Sequence, residues 1–272
     1  MVFRMHASKV TASAPDFREV RFAGLRFTPL TVEETVAALT ERDPGAPFAV
    51  FVTPNVEHAA LRRGNAEFSL CGDTCWISTN DSRVMRRAAR LAGLELELAP
   101  GSYVVDRLVR AGINRNEPIT IIGGTEEIAR ALGDQFGFTR VQHHVPPMGM
   151  IRNDEAVRAA IDFIAAYPAR FVFVAMGPPQ SEQFCQRVIA DGRSSGIGLC
   201  IGSSLSVLTG RSDPAPDWME QRGLVWAYRL ATEPKRLWKR YLVRDMIGLG
   251  LCLRDIMAIR LGRKSAIVGK AV

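Results

Sequence analysis

Five short apolar runs constrain this chain more than any other feature: residues 48–53, 76–78, 119–122, 171–175 and 197–201. Each ends in a turn of glycine, proline or small polar residues, and the first four lead into helical patterns. The runs carry valine, isoleucine and phenylalanine at consecutive positions, so both faces of each strand are apolar. A strand buried on both faces belongs to a parallel sheet with helices on either side. The expected class is therefore α/β, a mostly parallel sheet with helices on both faces. Residues 20–27 are strand-like but interrupted at Gly24. Thr31 followed by Glu34 marks a capping box and a helix start. With 272 residues the chain can bury one large core, or one core plus an appendage.

The C-terminal segment differs in composition. Residues 234–272 hold ten basic side chains and two acidic ones, a net +8 against +7 for the whole chain, so the other 233 residues sum to −1. Leu242, Met246, Leu249, Leu253, Ile256 or Met257, and Leu261 recur there at near-helical spacing. A helix with an apolar side and flanking arginines suits the surface of an anionic membrane. It equally suits a terminal helix packed on its own core with a solvated basic face, and the two readings are compatible. The apolar stripe argues against a nucleic-acid partner, because groove-binding helices have little use for one. Trp218, Trp226, Trp238, Tyr228 and Tyr241 crowd the start of the segment, as at a membrane interface or a helix-docking surface. The longest apolar stretch, 246–253, is far shorter than the roughly 20 residues of a membrane span. Residues 1–16 lack the apolar core of a signal peptide. A cytoplasmic protein, peripheral on the inner face of the membrane, is expected. The expected division is a flexible tail at 1–16, an α/β core at 17–213 and a basic helical appendage at 214–272, with homo-oligomerisation left open.

Parallel sheets bind ligands beyond the carboxyl ends of their strands, and the unusual residues of this chain fall there. Thr53 and Asn55 can hydrogen-bond a sugar or serve turn chemistry. Asp81 can act as a general base or cap the following helix. Gly123 and Gly124 offer free N–H groups to a phosphate, without the spacing of a dinucleotide fingerprint. His143 and His144 are adjacent on a strand and point to opposite faces, and no Asp-x-Asp segment or paired cysteine spacing accompanies them, so no metal site is expected.

In order and spacing these pieces resemble the WecG/TagA/CpsF glycosyltransferases, glycosyltransferase family 26. The resemblance runs from about Val20 to about Tyr241. It is carried by residues 53–58, Asn80-Asp81-Ser82, 121–124, 146–149 and 177–182, then Gly202, Gly210, 215–219, 224–226, Arg229, Leu230, 233–237 and 240–242. It implies a Rossmann-like core and an appendage that covers the site and touches the membrane. It also implies inverting transfer of a sugar from a UDP-sugar to a polyprenyl-diphosphate-linked saccharide, in cell-surface or exopolysaccharide assembly. No metal or cofactor beyond the UDP-sugar co-substrate is implied. Asp81 matches the proposed base. Thr53, Asn55 and Ser102 fall on the acceptor side. Gly123, Gly124, Gly177, Gln180 and Glu182 would hold the nucleotide sugar, with Arg229, Arg236 and Arg240 closing on its diphosphate.

Several positions depart from the family pattern. Ser82 replaces a glycine after the aspartate. Leu98 and Tyr103 replace the charged ends of an Arg-Val-x-Gly-x-Asp stretch. Ser181 stands for a glutamine, Pro214 for an arginine and Val225 for a glutamate. Lost polar contacts imply a different donor or acceptor, or a non-catalytic relative that binds a lipid-linked glycan or a partner transferase.

Overall fold

A computed structural model describes residues 17–263 and 267–268; the expected tail at 1–16 lies outside the described residues. The chain opens with an antiparallel hairpin, β1 (Glu19–Phe22) and β2 (Leu25–Phe27). Ala23 and Gly24 join them with φ of +52° and +77°, the two left-handed residues that match the twist of a tight hairpin. The interruption read at Gly24 is that turn. α1 (Val32–Glu41) starts at the expected capping box, with Glu34 N–H donating to Thr31 Oγ1 at 3.2 Å and Thr31 N–H to Glu34 Oε2 at 2.8 Å.

The core then alternates. β3 (Ala49–Val52), α2 (Val56–Leu61) and α3 (Ala66–Thr74) lead to β4 (Ile77–Ser78), α4 (Arg83–Leu91) and α5 (Gly101–Arg107). β5 (Ile119–Gly123), α6 (Glu126–Phe136), β6 (Val141–His144) and α7 (Asp154–Ala166) follow, then β7 (Phe171–Ala175), α8 (Gln180–Asp191), β8 (Ile197–Cys200) and α9 (Ser204–Leu208). The six strands β3 to β8 form one all-parallel sheet in the order β4-β3-β8-β7-β5-β6. This is a Rossmann-like α/β fold.

Strand registry builds the core in rows. Ile77, Phe51, Leu199, Phe173 and Ile121 are successive partners across five strands and are all fully buried on one face. One residue further, Val52, Cys200, Val174 and Ile122 form a second row on the opposite face, under α7 and α8. Fully burying a phenylalanine such as Phe51 or Phe173 stabilises the fold by roughly 1.5–3 kcal/mol. This is why both faces of each strand had to be apolar. All five cysteines are free and buried.

Beyond the core come α10 (Asp217–Arg222), α11 (Val225–Thr232), α12 (Pro234–Lys239) and, after a π turn at Arg240–Arg244, α13 (Asp245–Arg260). β9 (Ile267–Val268) pairs with β1 to close a three-stranded sheet. α13 packs on α2, on α4 and over the hairpin, sharing a third apolar cluster with Val56, Met85 and Phe22. Its contact face combines the half-buried Leu249, Leu251, Ile256 and Ile259 with small and polar residues. Gly248 crosses α2 so closely that a Cβ there would sit 2.1 Å from Val56 O. Cys252 is buried, and buried Asp255 accepts the Ala23 N–H at 2.8 Å. The expected stripe is divided. Leu249 and Ile256 pack into the third cluster, whereas Leu242, Met246, Leu253, Met257 and Leu261 are each between 59% and 65% exposed. The reading in which the stripe packs on the protein's own core therefore holds for Leu249 and Ile256 and not for the other five.

Candidate active site

A cavity of about 660 Å³ lies beyond the carboxyl ends of β3, β4, β7 and β8, roofed by residues of α11, α12, the π turn and α13. That volume falls within the usual range for small-molecule sites. Thr53 and Asn55 reach it from the end of β3, Asp81 from β4, Ser102 from α5, Gly177 from the turn after β7, and Glu182 from α8. Arg229, Arg236 and Arg240 reach it from the appendage.

Asp81 is held in place by its neighbours. Its N–H donates to Pro54 O at 3.1 Å, and its Oδ1 accepts the Gly101 N–H at 3.1 Å. Withdrawal from water raises the Asp81 carboxyl above its ordinary range. The Gly101 N–H, the charges of His58 and Arg240, and the nearby Asn55 amide all oppose that rise. Asp81 does not cap α4. Ser82 does, its Oγ accepting the Met85 N–H at 3.2 Å, while Asn80 Oδ1 accepts the Ser82 N–H at 2.9 Å. Of the two roles open to Asp81 in the sequence, the capping one is thus occupied by its neighbour. Gly101 must lack a side chain, because a Cβ there would meet Thr53 Oγ1 at 2.9 Å. The same glycine therefore brings Thr53 and Asp81 to one corner of the cavity.

The appendage arginines are tied down by acids. Arg240 Nε and Arg244 Nη1 both lie 2.9 Å from the buried Glu57 carboxylate. Arg236 makes a two-point ion pair with Glu233, with Nη2 to Oε1 at 2.8 Å. The Arg236 hydrogen bond lowers the Glu233 carboxyl, and the nearby Arg229 adds to that effect. Gly123, Gly124 and Gln180 do not line the cavity. Gly123 ends β5, with β8 and β7 between it and β3; its φ is +85°, and a Cβ on it would strike Met176 Cγ at 3.0 Å and Ala175 O at 3.1 Å. Its carbonyl is bonded to His143 Nε2 at 2.9 Å, so the turn packs closely between β7 and β6. Gln180 begins α8, its N–H donating to Gly177 O at 3.0 Å. His144 stacks on Phe163 at 5.2 Å, so the two histidines do point apart.

The sequence reading missed three ionisable residues that line this cavity: His58, Arg83 and Asp245. His58 carried no signal beyond its place in the 53–58 segment. Arg83, one residue past the Ser82 cap, has no carboxylate partner among the described residues. Asp245 is the first acid after a run of basic residues. Burial and the nearby Glu57 push its carboxyl up to about 6, against the pull of Arg240. Of the departing positions, Ser82, Ser181 and Val225 line the cavity, and Ser181 Oγ donates to Met176 O at 2.6 Å.

The family model described as Glycosyl transferase WecG/TagA/CpsF family matches residues 20–261. The chain belongs to that family. It is a glycosyltransferase of cell-surface polysaccharide biosynthesis, and the match extends over the core, the cavity and the whole of α13. No helix among the described residues of this glycosyltransferase is long and apolar enough to cross a membrane.

Proposed function

We propose that this glycosyltransferase moves a sugar from a UDP-sugar to a polyprenyl-diphosphate-linked saccharide, with inversion and without a metal, at the cytoplasmic face of the membrane. The observation that carries the reading is the placement of Asp81. A half-buried carboxylate faces a cavity of nucleotide-sugar size, opposite a roof that supplies Arg229, Arg236 and Arg240. The acceptor hydroxyl enters beside Thr53 and Ser102. Asp81 takes its proton as the new C1–O bond forms, and the old C1–O bond breaks with its electron pair passing to UDP. A carboxylate partly withdrawn from water is a stronger base than a solvated one. The arginines stabilise the charge that develops on the departing diphosphate, which is work a metal would otherwise do.

Support for a lipid-linked acceptor comes from the cavity rim. Leu242 and Met246 line the cavity and are also exposed members of the α13 stripe. A polyprenyl chain leaving the site past Leu242 and Met246 would therefore meet exposed apolar side chains at the rim. The test is turnover of a panel of UDP-sugars with a short-chain polyprenyl-diphosphate saccharide, with the product anomer read by NMR. Transfer with inverted configuration, undiminished by chelator, is expected. Retention of configuration, or activity only with added divalent metal, would overturn the mechanism.

A further inference from the structure

Glu182 sits at the cavity edge but is only 5% exposed, and His58 only 7%. His58 Nε2 lies 3.4 Å from Glu182 Oε1, and Glu182 Oε2 has no hydrogen-bond partner. We propose that Glu182 and His58 form a buried positioning pair that fixes the orientation of the Asn55 amide, and through it the direction of the Asp81 carboxylate. In this role Glu182 does not touch the nucleotide sugar.

The argument turns on where one proton sits. His58 Nδ1 is 2.9 Å from Asn55 Oδ1, and the Asn55 backbone N–H approaches the same nitrogen at 3.3 Å. One ring nitrogen cannot donate to the first and accept from the second. The Asn55 side chain decides between them. Its oxygen accepts the Glu57 N–H at 3.0 Å. A backbone N–H can only donate, so the amide oxygen faces Glu57 and His58, which leaves the NH₂ as the end that can serve the Asp81 carboxylate, whose charged form Asn55 favours. An oxygen 2.9 Å from a ring nitrogen requires an N–H between them, so Nδ1 carries the proton.

Glu182 makes that state the stable one. With Nδ1–H in place, Nε2 faces Glu182 Oε1. The pair is either imidazolium against carboxylate or a neutral ring accepting from the carboxylic acid, and Nδ1–H is present in both. Such a partner also gives the buried acid a compensating interaction for its lost hydration. Without the acid the ring is free to hold its proton on Nε2. Nδ1 then accepts the Asn55 backbone N–H, and its lone pair repels Asn55 Oδ1. Turning the amide over relieves that clash but presents an oxygen to Asp81. The base is then held by the Gly101 N–H alone.

The test has a spectroscopic arm, independent of turnover, and a kinetic arm that rests on the transferase reading. In the full chain labelled with [¹⁵N]histidine, long-range ¹H–¹⁵N spectra should show Nδ1–H for His58 in the wild type. Glu182→Gln, whose amide can donate to Nε2, should show the same, and Glu182→Ala should move the proton to Nε2. A wild type with bare Nδ1 would overturn the proposal whatever the activity. In kinetics, Glu182→Ala should lower kcat about tenfold or more while KM for the UDP-sugar stays within about twofold. Glu182→Gln should keep most of the rate. His58→Asn, which leaves a donor near the Nδ1 position, should retain more activity than His58→Ala. A rise in KM at unchanged kcat would put Glu182 on the donor and sink the pair. Should Glu182→Ala fail to fold, the wild-type spectrum and the comparison of His58→Asn with His58→Ala still decide. A wild type inactive with every donor would overturn the transferase reading and leave the spectrum to judge the pair.

Discussion

The parallel-sheet core buries its apolar side chains completely, whereas α13 divides them between two faces. In the core, Ile77, Phe51, Leu199, Phe173 and Ile121 face inward along one row and none reaches solvent. In α13, Leu249, Leu251, Ile256 and Ile259 pack inward with Gly248, Cys252 and Asp255, while Leu253 and Met257 face out. Apolar side chains therefore serve self-packing throughout the core and along only one side of α13. Small residues dock α13 because the helix must approach α2 closely, and Gly248 meets the Val56 carbonyl at a distance that no side chain allows. Close docking in turn carries Arg240, Asp245 and Leu242 over the cavity.

The largest effect should come from the core. Phe173→Ala removes a fully buried ring from the central row and should cost about 3–5 kcal/mol in denaturant unfolding. A loss below about 1 kcal/mol would mean that the row is not the stabilising core. Next is Gly248→Val, which should destabilise by about 1–3 kcal/mol and reduce turnover by lifting the arginine roof. Unchanged stability there would deny the close helix crossing. Leu253→Ser with Met257→Ser should fall within about 0.5 kcal/mol of the wild type, as exposed substitutions do. The same double variant should sediment less with anionic vesicles. Reversal of that pattern, with stability lost and vesicle binding kept, would return the stripe to the protein's own core.

The smallest effect is one of pH. The Asp245 carboxyl is raised to about 6 in the folded chain from an ordinary 3.8. A raised carboxyl favours the folded state while it is protonated. Its contribution is full below the unfolded value and is lost as pH rises through about 6. Asp245→Asn should therefore gain stability relative to the wild type between pH 4 and pH 7, read as the difference in Tm. A constant difference across that range would remove the assignment.

The sheet was legible because strands buried on both faces have to be written as unbroken apolar runs, and the turns after β3 and β4 displayed Thr53, Asn55 and Asp81 at once. Other features depended on distances that no spacing encodes. The Gly123-Gly124 turn looks like a phosphate cradle in one dimension, yet the strand order puts it beside β6 and away from β3. Glu182 was visible as a polar residue near a turn. Its partner His58 lies on another strand's helix, 124 positions earlier, and only the parallel pairing of β3, β8 and β7 brings the two together. The direction of the α13 stripe was likewise undetermined, because its periodicity is the same whichever side faces in.

Asp81→Asn is the most direct measure of the central claim, since it keeps the shape of the side chain and removes its basicity. With UDP-sugar binding measured alongside turnover, kcat should fall by about 10²–10⁴ while donor affinity and Tm hold. Transfer by the asparagine variant at close to the wild-type rate would contradict the account.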